Sequence, residues 1–284
     1  MYSIDEQALA QAIRLNVQAA LAEDIGSEDI TSALIAPDTQ AQATLISREA
    51  AVICGQPWAN AVFAEIDPDV RIEWHIAEGE TVAPNVTVAV FNGRATSLLS
   101  GERAALNFLQ MLSATATLTA KLTTLIAGTS TRLLDTRKTL PGLRLAQKYA
   151  VSVGGGYNHR LGLYDSYLIK ENHIAACGGI TQAIAEARRM HPNTWLEIEV
   201  ESMAELQLAL AAQPDMIMLD NFDLQATYEA VQWVAGRVPL ESSGGVNAET
   251  LLPLAETGVD YISMGALTKD IKAIDLSFRM QALP

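Results

Sequence analysis

The sequence predicts an α/β protein whose larger, C-terminal part is an α/β barrel. From residue 131 to residue 270, six short apolar segments alternate with helical segments. Several of the apolar segments, DMIMLD and DYISMG among them, are apolar almost throughout, which is typical of a parallel sheet covered by helices. Strict alternation favours closure into a barrel, although a doubly wound open sheet is the alternative. No GxGxxG follows the first strand, which argues against a Rossmann unit.

The region before the barrel follows a different pattern. Ser3 followed by Glu6 has the spacing of a capping box and predicts a helix that ends around Gly26. Three segments rich in β-branched residues follow and predict strands: ATLISREAAVICG, VRIEWHIAEGE and TVAVFNGRA. Two helical segments, around LLSGERAALNFLQML and TATLTAKLTTLIAG, come next. We therefore predict an N-terminal domain over residues 1–111 and a barrel domain over residues 112–273.

Composition limits the class of protein. Of 284 residues, 49% are apolar, and 19 basic residues against 33 acidic ones give a formal charge of −14. This balance disfavours a nucleic-acid-binding surface. The N-terminus MYSIDEQALA does not resemble a signal peptide, and no segment approaches the ~18 apolar residues of a membrane span. We expect a cytoplasmic protein with no nucleic-acid or membrane partner, and with Cys54 and Cys177 as reduced thiols.

Positive charge is concentrated in one segment. From Arg132 to Lys170 there are seven Lys or Arg residues and only two acids, whereas the rest of the chain has 12 basic and 31 acidic residues. Most single surface cations have no special role, but such a cluster in an acidic chain predicts a local pocket for a small anion.

Polar residues follow the predicted strands, where the chemistry of α/β barrels is found. The strand ends are Asp135-Thr-Arg-Lys138, Lys170-Glu-Asn-His173, Glu197-Ile-Glu199-Val-Glu201, Asp220-Asn221, Glu241-Ser-Ser-Gly-Gly245 and Gly265. Alternation in EIEVE places its three glutamates on one face, where they repel one another unless a positive group lies among them. Mg²⁺ held by Glu199 and Asp220 is one explanation, and direct neutralisation by Lys138 or Lys170 is the other.

Two weaker motifs lie in the same region. The SSGG turn before a predicted helix offers backbone N–H groups to a phosphate, although ordinary turns have the same composition. His159 beside Arg160 fits either a structural histidine, which is the commoner case, or a site residue. The residues alone thus predict a barrel that binds a polyanionic small molecule, and they do not identify a reaction.

The segment LDTRKTLPGLRLAQKYAVSVGGGYNHRLGLYDSYLIKENHI resembles the signature region of quinolinate phosphoribosyltransferase. LAEDIGSEDITS, GERAALNFLQMLS, EIEVE, IMLDNF and GVDYISMGALTK extend the resemblance over nearly the whole chain. It implies conversion of quinolinate and 5-phosphoribosyl-1-pyrophosphate to nicotinate mononucleotide, pyrophosphate and CO₂ in NAD biosynthesis. It also implies an N-terminal α/β sandwich to which residues 274–284 return, an open six-stranded barrel, and at least a homodimer with shared active sites.

The resemblance also implies roles for individual residues. Arg137, Arg160 and His159, with Arg103 from the partner subunit, match ligands of the two quinolinate carboxylates. Lys138 and Lys170 match lysines shared between quinolinate and pyrophosphate, and Glu199 and Asp220 match the carboxylates that hold the ribose hydroxyls and Mg²⁺. Ser243, Gly244 and Gly265 match the turns that receive the 5-phosphate.

Three departures from the family pattern and three rival functions accompany this interpretation. The departures are Met111, Ala114 and Ser242, and none removes an implied ligand. The rivals are a molybdate-operon paralogue of the same fold, an aldolase that uses Lys170 as a Schiff-base nucleophile, and a non-catalytic anion-binding protein. The intact KENH motif argues against the first, and a lysine among carboxylates argues against the second.

Overall fold

The first helix, α1 (Glu6–Ile25), is capped by Asp5 in the computed structural model, which describes residues 3–282. The Asp5 carboxylate accepts a hydrogen bond from a backbone N–H three positions along the chain, at 2.9 Å. The predicted capping box of Ser3 and Glu6 was therefore wrong, because an aspartate between them takes the N-cap role. The helix ends where it was predicted to end, with Gly26 directly after it.

An antiparallel sheet follows α1. The elements in order are a 3₁₀ turn (Ser32–Leu34), β1 (Gln40–Ser47), β2 (Ala51–Val52), α2 (Gln56–Ile66), β3 (Arg71–Trp74), β4 (Thr81–Val82) and β5 (Val86–Arg94). The sheet has the strand order β12-β1-β5-β3, in which β12 (Leu276–Ala282) is the last strand of the chain. Because β1 pairs with β5 on one side and β12 on the other, the C-terminal segment completes the N-terminal sheet.

Aromatic rings form the centre of this first core. The ring of Phe91 on β5 lies 5.2 Å from that of Phe63 on α2 and 5.1 Å from that of Phe278 on β12. A Cβ atom at position 101 would overlap the ring of Phe63. Gly101 is therefore required for the close approach of the next helix to α2.

One continuous helix, α3 (Ala95–Leu125), occupies the region where we predicted two helical segments. The prediction was wrong because tertiary hydrogen bonds use the polar residues in its middle. Ser113 Oγ accepts from the Cys54 N–H at 2.9 Å, and Thr117 Oγ1 accepts from the Val52 N–H at 2.8 Å. Among the described residues, neither α3 nor any other helix combines the length and apolarity needed to cross a bilayer.

Six parallel strands alternate with helices over the rest of the chain. In order the elements are β6 (Arg132–Leu134), α4 (Arg144–Val153), β7 (Tyr167–Ile169), α5 (Glu171–Cys177), α6 (Ile180–Met190), β8 (Leu196–Val200), α7 (Met203–Ala211), β9 (Met216–Asp220), α8 (Leu224–Val234), β10 (Leu240–Ser243), α9 (Ala248–Glu256), β11 (Tyr261–Ser263) and α10 (Ala266–Lys269). The sheet order is β6-β11-β10-β9-β8-β7, so the first two strands form the two edges. The predicted open six-stranded α/β barrel is confirmed.

The chain divides by its internal contacts into two units. The barrel unit comprises residues 121–138 and 156–267, and the sandwich unit comprises residues 3–120, 139–155 and 268–282. Helix α4 therefore groups with the sandwich unit. The domain boundary between residues 111 and 112 stays a prediction.

Candidate active site

The carboxyl ends of the six barrel strands lie along one edge of the sheet, because every adjacent pair of strands is parallel. Most of the predicted site residues follow these ends or lie in the loop between β6 and β7. The barrel unit contains Arg137, Lys138, His159, Arg160, Lys170, Glu199, Asp220, Ser243, Gly244 and Gly265. Arg103 lies on α3 in the sandwich unit.

Lys170 and Glu199 form an ion pair at this edge. Burial raises the pKa of Glu199 above its ordinary value, and the Lys170 ammonium opposes that rise. The nearby Asp220 carboxylate raises the pKa of Glu199 further. Of the two explanations for the acidic strand ends, direct neutralisation by a lysine is thus found for Glu199. Glu201 follows β8 and is exposed, so it does not join the buried glutamates.

Arg137 follows β6, and Arg160 lies in the loop between β6 and β7. The Nε atom of Arg137 is buried and makes no hydrogen bond within the described part of the chain. Arg160 is 7% exposed, and its Nη1 lies 3.5 Å from the Ser166 carbonyl oxygen, which is a weak contact. A buried guanidinium nitrogen without an acceptor is costly, so this arrangement favours a bound anion.

Lys138 approaches the turn after β11 closely. Its Cδ atom lies 2.9 Å from the position that a Cβ atom at residue 265 would occupy, and Thr136 Oγ1 lies 3.6 Å from it. A larger residue at 265 would displace the Lys138 side chain from this position. Gly265 thus leaves room for Lys138 beside the turn after β11.

His159 is buried, with both ring nitrogens engaged inside the protein. Its Nδ1 accepts a hydrogen bond from the Arg160 backbone N–H at 2.7 Å. Because a peptide N–H can only donate, we assign the ring proton to Nε2, which donates to Glu197 Oε2 at 2.8 Å. Contact of His159 with a substrate carboxylate stays a prediction, since this ring orientation uses both nitrogens for other bonds.

The charge state of this histidine is decided by the same contact. Burial lowers the pKa of His159, but the Glu241 and Glu197 carboxylates outweigh burial and raise it to about 10, which favours an imidazolium. In an imidazolium both ring nitrogens carry a proton, so the N–H of Nδ1 would face the backbone N–H of Arg160. Two donors cannot form a hydrogen bond, and the 2.7 Å distance between Nδ1 and the Arg160 nitrogen therefore requires the neutral ring. Burial, followed by the Glu241 carboxylate, raises the pKa of Glu197 to about 7, and the contact with His159 opposes this rise.

His159, Glu197 and Glu241 also lie within the spacing of a metal site, with ligand atoms within 4.8 Å of one another. A metal ion on the histidine would need a lone pair on Nε2, where the tautomer places a proton. Glu241 Oε2 lies 3.4 Å from that nitrogen, and neither Glu241 oxygen has a hydrogen-bond partner within the described part of the chain. The Nε2 proton of His159, which Glu197 accepts, therefore disfavours a metal ion on this histidine.

The predicted phosphate turn follows β10. Gly244 and Gly245 have φ values of +103° and +63°, which favour glycine. Asn247 caps α9 and accepts hydrogen bonds from the N–H groups of Glu249 and Thr250. Because the cap occupies these two helical donors, they are not available to a ligand at this end of α9. Phosphate binding by the N–H groups of the turn itself stays a prediction.

Sequence reasoning did not assign roles to Glu197, Glu241 or Asn221. Glu197 and Glu241 are buried in the barrel strands next to His159. Alternation in EIEVE is the signal that places Glu197 on the same face as Glu199, whereas LESS has no such alternation to mark Glu241. None of the three departures from the family pattern replaces a predicted ligand. Ala114 and Ser242 are buried, and Met111 lines a cavity of the sandwich unit.

Comparison with known proteins gives one family over most of the chain. Residues 29–113 match the model of the quinolinate phosphoribosyl transferase N-terminal domain, and residues 115–279 match the model of the C-terminal domain. A solved nicotinate-nucleotide pyrophosphorylase from Francisella tularensis is 47% identical, with a TM-score of 0.93, and the match covers 96% of this chain and 97% of that one.

Curated relatives agree with the solved structure. A probable nicotinate-nucleotide pyrophosphorylase (carboxylating) from Bacillus subtilis is 39% identical over 90% of this chain and 89% of its own length. The nicotinate-nucleotide pyrophosphorylase (carboxylating) of Mycobacterium leprae is 39% identical over 93% of this chain and 96% of its own length.

Proposed function

The chain belongs to the quinolinate phosphoribosyltransferase family, and we propose that it transfers the phosphoribosyl group of 5-phosphoribosyl-1-pyrophosphate to quinolinate. The products are nicotinate mononucleotide, pyrophosphate and CO₂, in a step of NAD biosynthesis. The enzyme is a pentosyltransferase of the carboxylating nicotinate-nucleotide pyrophosphorylase type. We also propose that it acts in the cytoplasm.

The buried Nε of Arg137 without an acceptor is the observation that carries this proposal. A guanidinium group binds a carboxylate through two parallel hydrogen bonds and keeps its charge at all physiological pH values. Arg137 and Arg160 therefore suit a ligand with two carboxylates, with His159 holding Arg160 through its backbone. A ligand with a single carboxylate is disfavoured in this proposal, because it cannot engage both guanidinium groups.

Charge development explains the remaining residues. Departure of pyrophosphate leaves positive charge on the ribose, which the Glu199 and Asp220 carboxylates stabilise, while Lys138 and Lys170 stabilise the leaving group. The pyridine nitrogen then attacks C1 of the ribose. The quaternary nitrogen makes the ring an electron sink, so the carboxylate next to it leaves as CO₂. The electron pair of the broken bond stays on the ring carbon, which then takes a proton from solvent. Positioning of the two substrates contributes more than acid–base chemistry.

Mg²⁺ is part of this proposal, with Glu199 and Asp220 as its protein ligands. Two carboxylates at neighbouring strand ends fit a hard cation that substrate oxygens also coordinate. Lys170 forms its ion pair with Oε2 of Glu199, and Asn221 donates a hydrogen bond to Oδ2 of Asp220. The other oxygen of each carboxylate, Oε1 of Glu199 and Oδ1 of Asp220, would coordinate the ion. When bound, the ion would neutralise charge on the pyrophosphate.

We also propose a homodimer in which Arg103 enters the active site of the partner subunit. An isologous interface repeats such an arrangement twice, so both sites would be shared. Higher assemblies of such dimers are compatible with the same contact. An aldolase mechanism is disfavoured, because Lys170 is held as an ammonium group by Glu199 and an ammonium is not a nucleophile.

Incubation with quinolinate, 5-phosphoribosyl-1-pyrophosphate and Mg²⁺ tests this function. We expect nicotinate mononucleotide and CO₂ in equal amounts, measured by chromatography and by trapping of the gas. Omission of either substrate, or chelation of the metal, should abolish both products. A complete mixture that forms no nucleotide would exclude the proposed reaction in favour of the non-catalytic alternative or the molybdate-operon paralogue.

A further inference from the structure

Asn221 occupies a strained backbone conformation at the end of β9. Its φ is +54°, in the left-handed region that L-residues adopt at a cost, and asparagine tolerates it better than most. Strained residues that persist at a candidate site point to a role that offsets the cost. The conformation turns the chain so that residue 221 faces the neighbouring strand end as well as Asp220.

Two hydrogen bonds and one close approach fix this residue between two parts of the site. The Asn221 side-chain Nδ2 donates to Asp220 Oδ2 at 2.8 Å. Its backbone N–H donates to the Ser243 carbonyl oxygen at 3.1 Å, extending the pairing of Asp220 with Ser243 between β9 and β10. A Cβ atom at position 244 would overlap Oδ1 of Asn221 and would lie 3.1 Å from its backbone nitrogen.

A glycine is therefore required at position 244 for two reasons, the φ of +103° and the close approach of Asn221. The asparagine packs against the turn at the point where a side chain on residue 244 would stand. It holds one oxygen of Asp220 and the carbonyl of the residue before the turn. A single residue thus joins the carboxylate at the end of β9 to the turn after β10.

We propose that Asn221 is a positioning residue that sets the distance between the Asp220 carboxylate and the Ser243–Gly244 turn, and so aligns the ribose with the 5-phosphate of one substrate. This inference rests on the proposed function, which assigns the ribose to Asp220 and the phosphate to the turn. The side chain acts through Asp220 and is not itself assigned to the substrate. Quinolinate is held elsewhere, by Arg137 and Arg160.

Three variants separate positioning from a structural role. Asn221→Gly keeps the left-handed backbone accessible and removes only the amide. Asn221→Asp keeps the size and tolerance of positive φ but replaces the donor with an acceptor beside Asp220. Asn85→Gly is the matched control, since Asn85 has a φ of +66° and lies in the sandwich unit.

For Asn221→Gly we expect kcat/KM for 5-phosphoribosyl-1-pyrophosphate to fall about 10- to 100-fold, as is typical when a residue that orients a functional group is removed. The quinolinate dissociation constant, measured by calorimetry without the second substrate, should stay within about twofold, and Tm should not fall, because glycine relieves the strain. Asn221→Asp should be impaired as well, and Asn85→Gly should retain its activity.

Four outcomes decide between the ideas. Unchanged kcat/KM in Asn221→Gly would overturn the inference while the unaltered chain stays active. Full activity of Asn221→Asp would contradict the role of the amide as donor. A lowered Tm together with weaker quinolinate binding would make Asn221 a structural residue only. Absence of turnover by the unaltered chain would overturn the proposed function, and this inference with it.

Discussion

Replacement of Asp67 by asparagine should destabilise the sandwich unit by a predictable amount. Asp67 follows α2, and its Oδ2 accepts hydrogen bonds from Arg94 Nε at 2.9 Å and Ser97 Oγ at 2.7 Å. Oδ1 accepts from the Asp69 N–H at 3.1 Å. An asparagine cannot accept at both positions, so either orientation of its amide leaves at least one donor without a partner. The bonds join the end of α2 to the start of α3, the helix that carries Arg103.

The magnitude follows from the protonation equilibrium of this carboxyl group. The hydrogen bond from Arg94, followed by that from Ser97, lowers the pKa of Asp67 from 3.8 to about 2 against the opposing effect of burial. At ~1.4 kcal/mol per pH unit, this difference corresponds to about 2.5 kcal/mol of stability. It is an upper value, because 48% of the Arg94 side chain is exposed and solvent screens the pair.

The sign of the pH dependence follows from the same values. A pKa that is lower in the folded state stabilises the fold above the unfolded value near pH 4, and this contribution is lost as the pH falls towards 2. Urea unfolding at pH 7 should therefore show Asp67→Asn to be less stable by roughly 1–2 kcal/mol, and the difference should shrink below about pH 4. Asp69→Asn, an exposed neighbour, should change stability by less than ~0.5 kcal/mol. Equal stability of Asp67→Asn and the unaltered chain at pH 7 would refute the reasoning.

Three predictions concern the catalytic site. Glu199→Gln and Asp220→Asn should each lower kcat by about 10²- to 10³-fold with little change in the quinolinate dissociation constant, and loss of quinolinate binding at an unchanged kcat would contradict the division of the site. Lys170→Ala should weaken quinolinate binding. It should also move the acid limb of the pH–rate profile to higher pH, because the lysine lowers the pKa of Glu199. An acid limb at unchanged pH would show that the ion pair does not set its position. Inactive Arg103→Ala and Arg137→Ala dimers should regain about a quarter of wild-type activity after subunit exchange, since half of the dimers are mixed and each has one intact site. Exchange without recovered activity would reject the shared site.

The barrel and its acidic strand ends were predictable because they depend on local pattern. Strict alternation of strands and helices defined the sheet, and the polar residue after an apolar strand such as DMIMLD located Asp220. The continuity of helix α3 was not predictable from the sequence. Ser113 in the middle of the helix makes a hydrogen bond with Cys54, which is distant in sequence. A pattern based on neighbours cannot include such a contact.

Other features of the site depend on distances between strands. The tautomer of His159 follows from contacts with the Arg160 N–H and Glu197, which residue types alone do not reveal. The left-handed backbone conformation of Asn221 likewise cannot be predicted from the sequence, because asparagine occurs in many conformations. The roles assigned to individual ligands came from family resemblance, and they stay predictions.

The most direct test of the dicarboxylate site compares quinolinate with nicotinic acid as acceptors for the unaltered chain under identical conditions. A buried guanidinium that loses its carboxylate partner costs about 1–3 kcal/mol, so we expect turnover with quinolinate and a much lower kcat/KM with nicotinic acid. Arg137→Ala should narrow the ratio of the two kcat/KM values, because it removes one of the groups that recognise the second carboxylate. Comparable kcat/KM values for both acids with the unaltered chain would contradict recognition of two carboxylates.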